Sequence, residues 1–170
     1  MILMLTGLPV HTQGTTSPHP VYTPVATFDP SRDAAKDIRD AIAEARRSGR
    51  RVLIDVGGDW CVWCRRLDSL FVTRQDLRNF RDLHYVTVKV NWSKENKNER
   101  VLSAYPKIPG YPHLFVLGSD GALVHSQDTS ELERGKGHDP DKVMAFLRLW
   151  AGSQPAGEKL KRSTSSTTKI

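Results

Sequence analysis

The sequence predicts an α/β domain: a central mixed β-sheet flanked by helices on both faces. Three observations carry that expectation. Helix-period and strand-period segments alternate along the chain from about residue 29. The run Arg51 to Val56 is apolar almost throughout, as in a central strand buried on both faces. An Asp120-Gly121 pair joins two later apolar runs and signals an antiparallel hairpin.

The elements follow in order. Asp29-Pro30-Ser31 offers a cap and a first-turn proline, and Ala34, Ala35, Ile38, Ala41, Ile42 and Ala45 then recur at helical spacing until Gly49. The buried strand Arg51 to Val56 comes next, with Asp55 embedded in it. Gly57 to Trp60 reads as a turn, and a helix opens at Cys61, placing Leu67, Leu70 and Phe71 on one side. A second helical segment, Arg74 to Phe80, takes Thr73 as its cap and Asp76 in its first turn. His84 to Val90 alternates apolar and polar residues and reads as a strand. The polar stretch 93–100 leads into a short helix around Val101 to Ala104. His113 to Leu117 and Ala122 to His125 form the hairpin, and Asp139-Pro140-Asp141 caps a last helix carrying Val143, Phe146, Leu147 and Trp150.

The chain's 170 residues suit one domain with one core, and 38% hydrophobic with 26% charged residues excludes a disordered, collagen-like or coiled-coil chain. The expected division is a flexible segment over 1–28, the folded domain over 29–151 and a basic Ser/Thr tail over 152–170. Ile2 to Val10 is about as long as the apolar region of a signal peptide, but the first basic residue is Arg32, so the stretch reads either as a signal remnant or as a free tail. No run reaches the 18 or so apolar residues of a membrane span, so stable membrane insertion is not expected. The net charge of +6 favours solubility and weak attraction to acidic surfaces. The Lys159 to Lys169 tail lacks interleaved aromatics, so nucleic acid is not an expected partner.

The chemistry centres on the two cysteines, Cys61 and Cys64, in a Cys-x-x-Cys arrangement beside a strand-to-helix junction. A cysteine at a helix N-terminus feels unpaired N–H groups, which favour its thiolate and lower its pKa from about 8.5 into roughly the 3.5 to 7.5 range. Cys61 is so placed, and Cys64 lies one turn further in, which fits a nucleophile and a resolving thiol. Trp60 adds an apolar wall, and Arg65 and Arg66 add positive charge. Asp55, six residues before Cys61 in an apolar strand, is a candidate proton acceptor for Cys64 because burial raises a carboxyl's pKa. His113 and His125 read as hydrogen-bonded structural residues, and Gly135 to His138 as a solvated turn. Asn91-Trp92-Ser93 fits the N-glycosylation pattern, relevant only to a chain secreted by a eukaryotic route.

The segment Asp55-Val56-Gly57-Gly58-Asp59-Trp60-Cys61-Val62-Trp63-Cys64 resembles the active-site segment of thioredoxin-like proteins. Ile108-Pro109-Gly110-Tyr111-Pro112 with the strand after it is similar to the family's cis-proline strand. The resemblance spans roughly residues 33–151 and is greatest to the C-terminal thioredoxin-like domain of bacterial periplasmic thiol:disulfide interchange reductases. It implies that Pro112 is a cis-proline facing the dithiol, an uncommon isomer at about 5–6% of X-Pro bonds. It also implies that Tyr111 pairs with a substrate polypeptide, with Trp60 and Trp63 beside it. The expected activity is exchange of thiol and disulfide with protein substrates, needing no metal or organic cofactor. Electrons would come from an upstream redox partner, and the chain would act as a monomer in thiol redox homeostasis. The compartment expected is the periplasm or another exported one, with the cytoplasm as alternative. Two other functions stay open: an oxidant or isomerase on the same fold, and a non-catalytic partner-binding module. The chain departs from thioredoxin itself in Val62-Trp63 between the cysteines, in the large Tyr111 and in the long polar connection from Asn91 to Ala104.

Overall fold

The computed structural model describes residues 22–152, so the expectations for 1–21 and 153–170, including the apolar N-terminus and most of the basic tail, lie outside the described residues. Helix α1 (Ala34–Ser48) precedes strand β1 (Arg51–Gly57), then come α2 (Val62–Thr73), α3 (Gln75–His84) and β2 (Tyr85–Asn91). After these follow α4 (Glu99–Leu102), β3 (His113–Leu117), β4 (Leu123–Asp128), the short ribbon β5 (Glu133–Arg134) with β6 (Gly137–His138), and α5 (Pro140–Leu149). The main sheet has the order β2-β1-β3-β4. β1 pairs parallel with β2 and antiparallel with β3, and β3 pairs antiparallel with β4. The sheet is therefore mixed, as the sequence predicts.

Each face of the sheet carries its own apolar layer. Ile38, Ala41 and Ala45 of α1 pack with Val52, Ile54, Val56 and Val88 on one face. Leu67 of α2, Leu77 of α3 and Phe146 and Leu147 of α5 pack with Leu53, Leu114 and Val116 on the other. Because side chains alternate along a strand, Asp55 shares Leu53's face and points toward the α2 side. In register, Asp55 is the partner of Lys89 on β2.

Several boundaries differ from the sequence expectation, each for a local reason. The cap of α1 is Asp33, whose carboxylate accepts from the Lys36 N–H at 3.0 Å. Asp29 is used up earlier, accepting the Ser31 N–H and hydroxyl at 2.8 and 2.7 Å. Thr73 does not cap α3: it ends α2, and its hydroxyl bonds back to the Ser69 carbonyl at 2.8 Å, leaving Arg74 as an N-cap without a side-chain bond. His84 closes α3 by stacking on Phe80 one turn earlier, so β2 begins at Tyr85. β4 runs on to Asp128 through the polar residues Ser126 and Gln127, which carry no apolar signal. Residues 22–28 are not structureless. Val25 bridges to Val88, its carbonyl accepts the Lys89 N–H at 3.1 Å, and Phe28 is buried.

Candidate active site

Strand β1 delivers the chain to Gly57, where the backbone passes so close to Cys64 that a Cβ would stand 2.5 Å from its Sγ and 3.1 Å from Phe28 Cζ. The Gly58 carbonyl then accepts the Cys61 N–H at 3.0 Å and turns the chain into α2. Cys61 is the N-cap of α2: its backbone is extended and its Sγ accepts the Cys64 N–H at 3.1 Å. Both sequence-predicted cysteines are joined in a disulfide, with Cα atoms 5.2 Å apart. No acid occupies the first turn of α2, so the positive helix end acts on the sulfurs unopposed from its own helix.

The disulfide is well covered, Cys61 being 5% and Cys64 2% exposed. Phe28 lies against both, and Trp63 and Tyr111 pack around them. The Tyr111–Pro112 peptide bond is cis. Cys61 Sγ is 3.5 Å from the Tyr111 carbonyl oxygen, a contact and not a hydrogen bond, since a disulfide sulfur has no proton to donate. The Pro112 carbonyl is held from behind by the Thr129 hydroxyl at 2.5 Å. Cys61, Cys64, Trp63, Tyr111 and the cis peptide thus meet at one end of the sheet.

Two aromatic groups flank the disulfide. On one side Trp60, 53% exposed, donates its Nε1–H to the Trp92 carbonyl at 2.7 Å, and its ring meets Tyr111 edge-on at 5.8 Å. On the other, Arg66 places its guanidinium 4.5 Å over Trp63, and His138 meets the same ring edge-on at 5.7 Å. Gly135 and Lys136 form the exposed turn that the sequence predicts, joining β5 to β6, but His138 at the end of that segment is buried with neither ring nitrogen hydrogen-bonded. Burial, with Arg66 nearby, pushes the His138 pKa down.

Asp55 is buried on β1, two residues before Gly57. Its Oδ2 is 3.4 Å from Lys89 Nζ, while its Oδ1 has no hydrogen-bond partner. Burial pushes the carboxyl's pKa up; the Lys89 charge partly offsets this and the Asp68 charge adds to it. The Lys89 ammonium also bonds Asp68 and lies 4.0 Å over the Phe28 ring.

Sequence reasoning missed Phe28, Lys89, Trp92 and His138. Lys89 had one available signal, as the cation on a strand that could neighbour Asp55. Trp92 entered only as the middle of a glycosylation pattern, and the structure gives Asn91 a different task. Asn91 is buried, and its Nδ2 donates to Ser93 Oγ at 3.1 Å and to the Asn96 carbonyl at 2.8 Å. His113 and His125 carry the structural contacts expected of them: His113 Nε2 pairs with Ser126 Oγ at 2.8 Å, and His125 stacks on Trp150 at 4.1 Å. Among the described residues no three His, Cys, Asp or Glu side chains converge as a metal site, and no helix is long and apolar enough to cross a membrane.

Comparison with known proteins agrees with this geometry. Residues 33–119 match the thioredoxin-like family. The chain is 30% identical over 122 residues to the thiol:disulfide interchange protein DsbD of Pseudomonas fluorescens, covering 71% of this chain and 19% of that protein. It is 26% identical over 77 residues to the disulfide bond reductase DsbH of Chlamydia pneumoniae, covering 41% of this chain and 46% of that one. The chain spans about a fifth of the length of the DsbD proteins it matches, 19% of one and 21% of another. The disulphide isomerase of Xylella fastidiosa superposes with a TM-score of 0.62 at 23% identity, covering 72% of this chain and 94% of that one. The oxidised C-terminal domain of Neisseria meningitidis DsbD gives 0.56 at 18% identity, covering 74% and 99%. These structures share the fold, and the match over 33–119 takes in β1, both cysteines and the cis-proline strand β3. The chain belongs to the thioredoxin-like family.

Proposed function

We propose that this chain is a thiol-disulfide oxidoreductase that reduces disulfides of protein substrates, with Cys61 as nucleophile and Cys64 as resolving thiol. The observation that carries the reading is the Cys61–Cys64 disulfide at the N-terminus of α2, beside the cis Tyr111–Pro112 bond. In the reduced protein the Cys61 thiolate attacks one sulfur of a substrate disulfide. A mixed disulfide forms, and the displaced substrate thiolate takes a proton from water. Cys64 gives its proton to Asp55 and attacks Cys61 Sγ, which releases the second substrate thiolate and leaves the Cys61–Cys64 disulfide. Two electrons pass to the substrate, and an upstream redox partner returns them. No metal or organic cofactor enters these steps.

Trp60, Trp63, Tyr111 and Pro112 line the approach, where the substrate backbone pairs with Tyr111 in β fashion. The relatives named for thiol:disulfide interchange and disulfide bond reduction support the reading. The chain acts as a monomer in an exported compartment, the periplasm for a bacterial host, where disulfides persist to be exchanged.

The test is equilibrium titration of the Cys61–Cys64 couple in glutathione and dithiothreitol buffers, with free thiols quantified. A potential of about −230 mV or lower supports a reductase, and one near about −120 mV makes the chain an oxidant. Failure to cycle leaves a binding module. In parallel, Cys64→Ser should trap substrates on Cys61 as mixed disulfides, and Cys61→Ser should trap none.

A further inference from the structure

Arg66 stands beside the disulfide with its charge unmatched. Its guanidinium lies 4.5 Å over the Trp63 ring, and Trp63 packs on the cluster of Phe28, Cys61 and Cys64. Its neighbours one turn away on α2 are Val62, Trp63, Ser69 and Leu70, all uncharged. Asp68, two residues on, faces another way and bonds Lys89. Beside the ribbon that packs against α2, Asp139 is paired with Arg134 at 3.2 Å, and Glu133, opposite His138 on the ladder, makes no bond to Arg66. His138 itself meets the edge of Trp63, and burial holds it toward its neutral form. Arg65 serves the other flank, where its guanidinium bonds the Asp59 carbonyl in the turn before Cys61.

The contact with Trp63 also prepares Arg66 for a ligand. A cation–π contact uses none of the five N–H donors of a guanidinium, so the planar fork that fits a carboxylate stays free. Among the described residues none of those donors is engaged by a hydrogen bond. Holding the side chain on the ring before a partner arrives lowers the entropy lost on binding. Val62, one turn before Arg66, is 48% exposed, so this rim of the site is open to a polypeptide.

We propose that Arg66 is a specificity-determining residue that selects protein disulfides flanked by acidic side chains, its guanidinium bonding a substrate carboxylate over the Trp63 ring beside the dithiol. This rests on the oxidoreductase reading and names the substrate class for the same site. The reaction itself is unchanged: the Cys61–Cys64 dithiol is oxidised to the disulfide, and the substrate disulfide is reduced to two thiols. The ion pair forms before the exchange and places the substrate sulfur at Cys61.

The experiment is single-turnover reduction by the full, pre-reduced chain of three short peptides, each closed by one internal disulfide whose cysteines are flanked by Glu, Gln or Lys. Rates are divided by those with dithiothreitol, a neutral dithiol, which cancels the intrinsic reactivity of each peptide. Wild type should reduce the Glu peptide about fivefold faster than the Lys peptide at low ionic strength, the upper end for one exposed ion pair. The Gln peptide should fall between them, and about 0.5 M salt should shrink the preference. Arg66→Gln should bring the ratio close to one, and Arg66→Lys, which keeps the charge, should recover part of it. Loss of the contact with Trp63 affects all three peptides alike, so the ratio reads the charge alone. Arg148→Gln controls for net charge: Arg148 is exposed near Trp150, whose carbonyl bonds Arg51 at the end of β1 opposite Gly57. Its ratio should match wild type. Equal rates for the three peptides in wild type, a preference that Arg66→Gln retains, or one that Arg148→Gln removes as fully, each overturns the role of Arg66 while leaving the oxidoreductase reading in place. A chain that reduces none of the peptides overturns that reading and this proposal with it.

Discussion

Trp92 stacks on Tyr111 with ring centroids 4.8 Å apart and planes 27° from parallel, so a residue just past the end of β2 fixes the residue that precedes the cis peptide bond. The backbone of Trp92 is tied to the other half of the site as well. Its N–H donates to the Gly57 carbonyl at 2.6 Å, and its carbonyl accepts the Trp60 Nε1–H at 2.7 Å. Trp92 thus links the cysteine turn to the cis-proline loop. Replacing Trp92 with Ala removes a ring pair worth ~1 kcal/mol while keeping the backbone bonds, which corresponds to about a fivefold loss in reaction with polypeptide disulfides. Reaction with a small disulfide such as oxidised glutathione should stay near the wild-type rate, since it does not span the rings. Comparing kcat/KM for insulin and for glutathione disulfide checks this, and an equal loss for both would place the effect of Trp92 on the couple itself.

What the sequence made legible follows a simple division. Cys61, Cys64 and Asp55 lie in short segments where residue type and spacing point to the chemistry, whereas Pro112 is legible only through the resemblance of its segment to the thioredoxin-like family. Trp92, Lys89, Phe28 and His138 reach the site only through strand pairing and packing, which no local pattern encodes. The same division holds for the fold. β1 is legible because it is apolar on both faces, whereas the polar second half of β4 pairs by register alone. Thr73 misleads because its hydroxyl has two uses, and the helix before it claims it first.

The raised Asp55 pKa makes stability depend on pH with a definite sign. The folded chain holds this proton more tightly than the unfolded chain, whose carboxyl titrates near its ordinary value of 3.8. The favourable contribution is therefore fully present below that value and is lost as pH rises through the folded-state pKa. Each unit of elevation costs about 1.4 kcal/mol at pH values above both. Asp55→Asn should be more stable than wild type at pH 8, with the advantage shrinking toward pH 4. Urea unfolding of the oxidised proteins at pH 4, 6 and 8 measures the difference, and a constant offset would mean that Asp55 is not the titrating group.

Gly57 leaves no room for a side chain. A methyl group there meets Cys64 Sγ and Phe28 Cζ, and Phe28 belongs to the buried cluster around the disulfide, so neither neighbour can step aside freely. Gly57→Ala should destabilise the oxidised protein by about 1–3 kcal/mol, the range typical of an overpacked core. Gly110, with nothing within 4 Å of its Cβ position, supplies the control, and Gly110→Ala should change stability little. A shift in urea midpoint for Gly57→Ala no larger than that of the control would show that the floor under Cys64 yields easily.

His138 gives the opposite pH sign. Its ring is buried edge-on against Trp63, both nitrogens lack hydrogen bonds, and burial with the Arg66 charge holds its pKa below the ordinary 6.5. The acids nearest in the chain offer little relief. Asp139 is paired with Arg134 at 3.2 Å and caps α5, and Glu133 lies across the β5–β6 ladder. As pH falls below about 6.5 the unfolded chain takes up this proton first, so stability declines through the interval down to the folded-state pKa. His138→Leu keeps an apolar partner for Trp63 and removes the titration, so its stability should fall less than that of wild type between pH 7 and pH 5. His113, also pushed down by burial, is present in both proteins, and the difference isolates His138. The expected gap is about 1 kcal/mol for each unit by which His138 is depressed, read from urea unfolding at the two pH values. Parallel losses in the two proteins would show that the ribbon opens enough for His138 to take its proton in water.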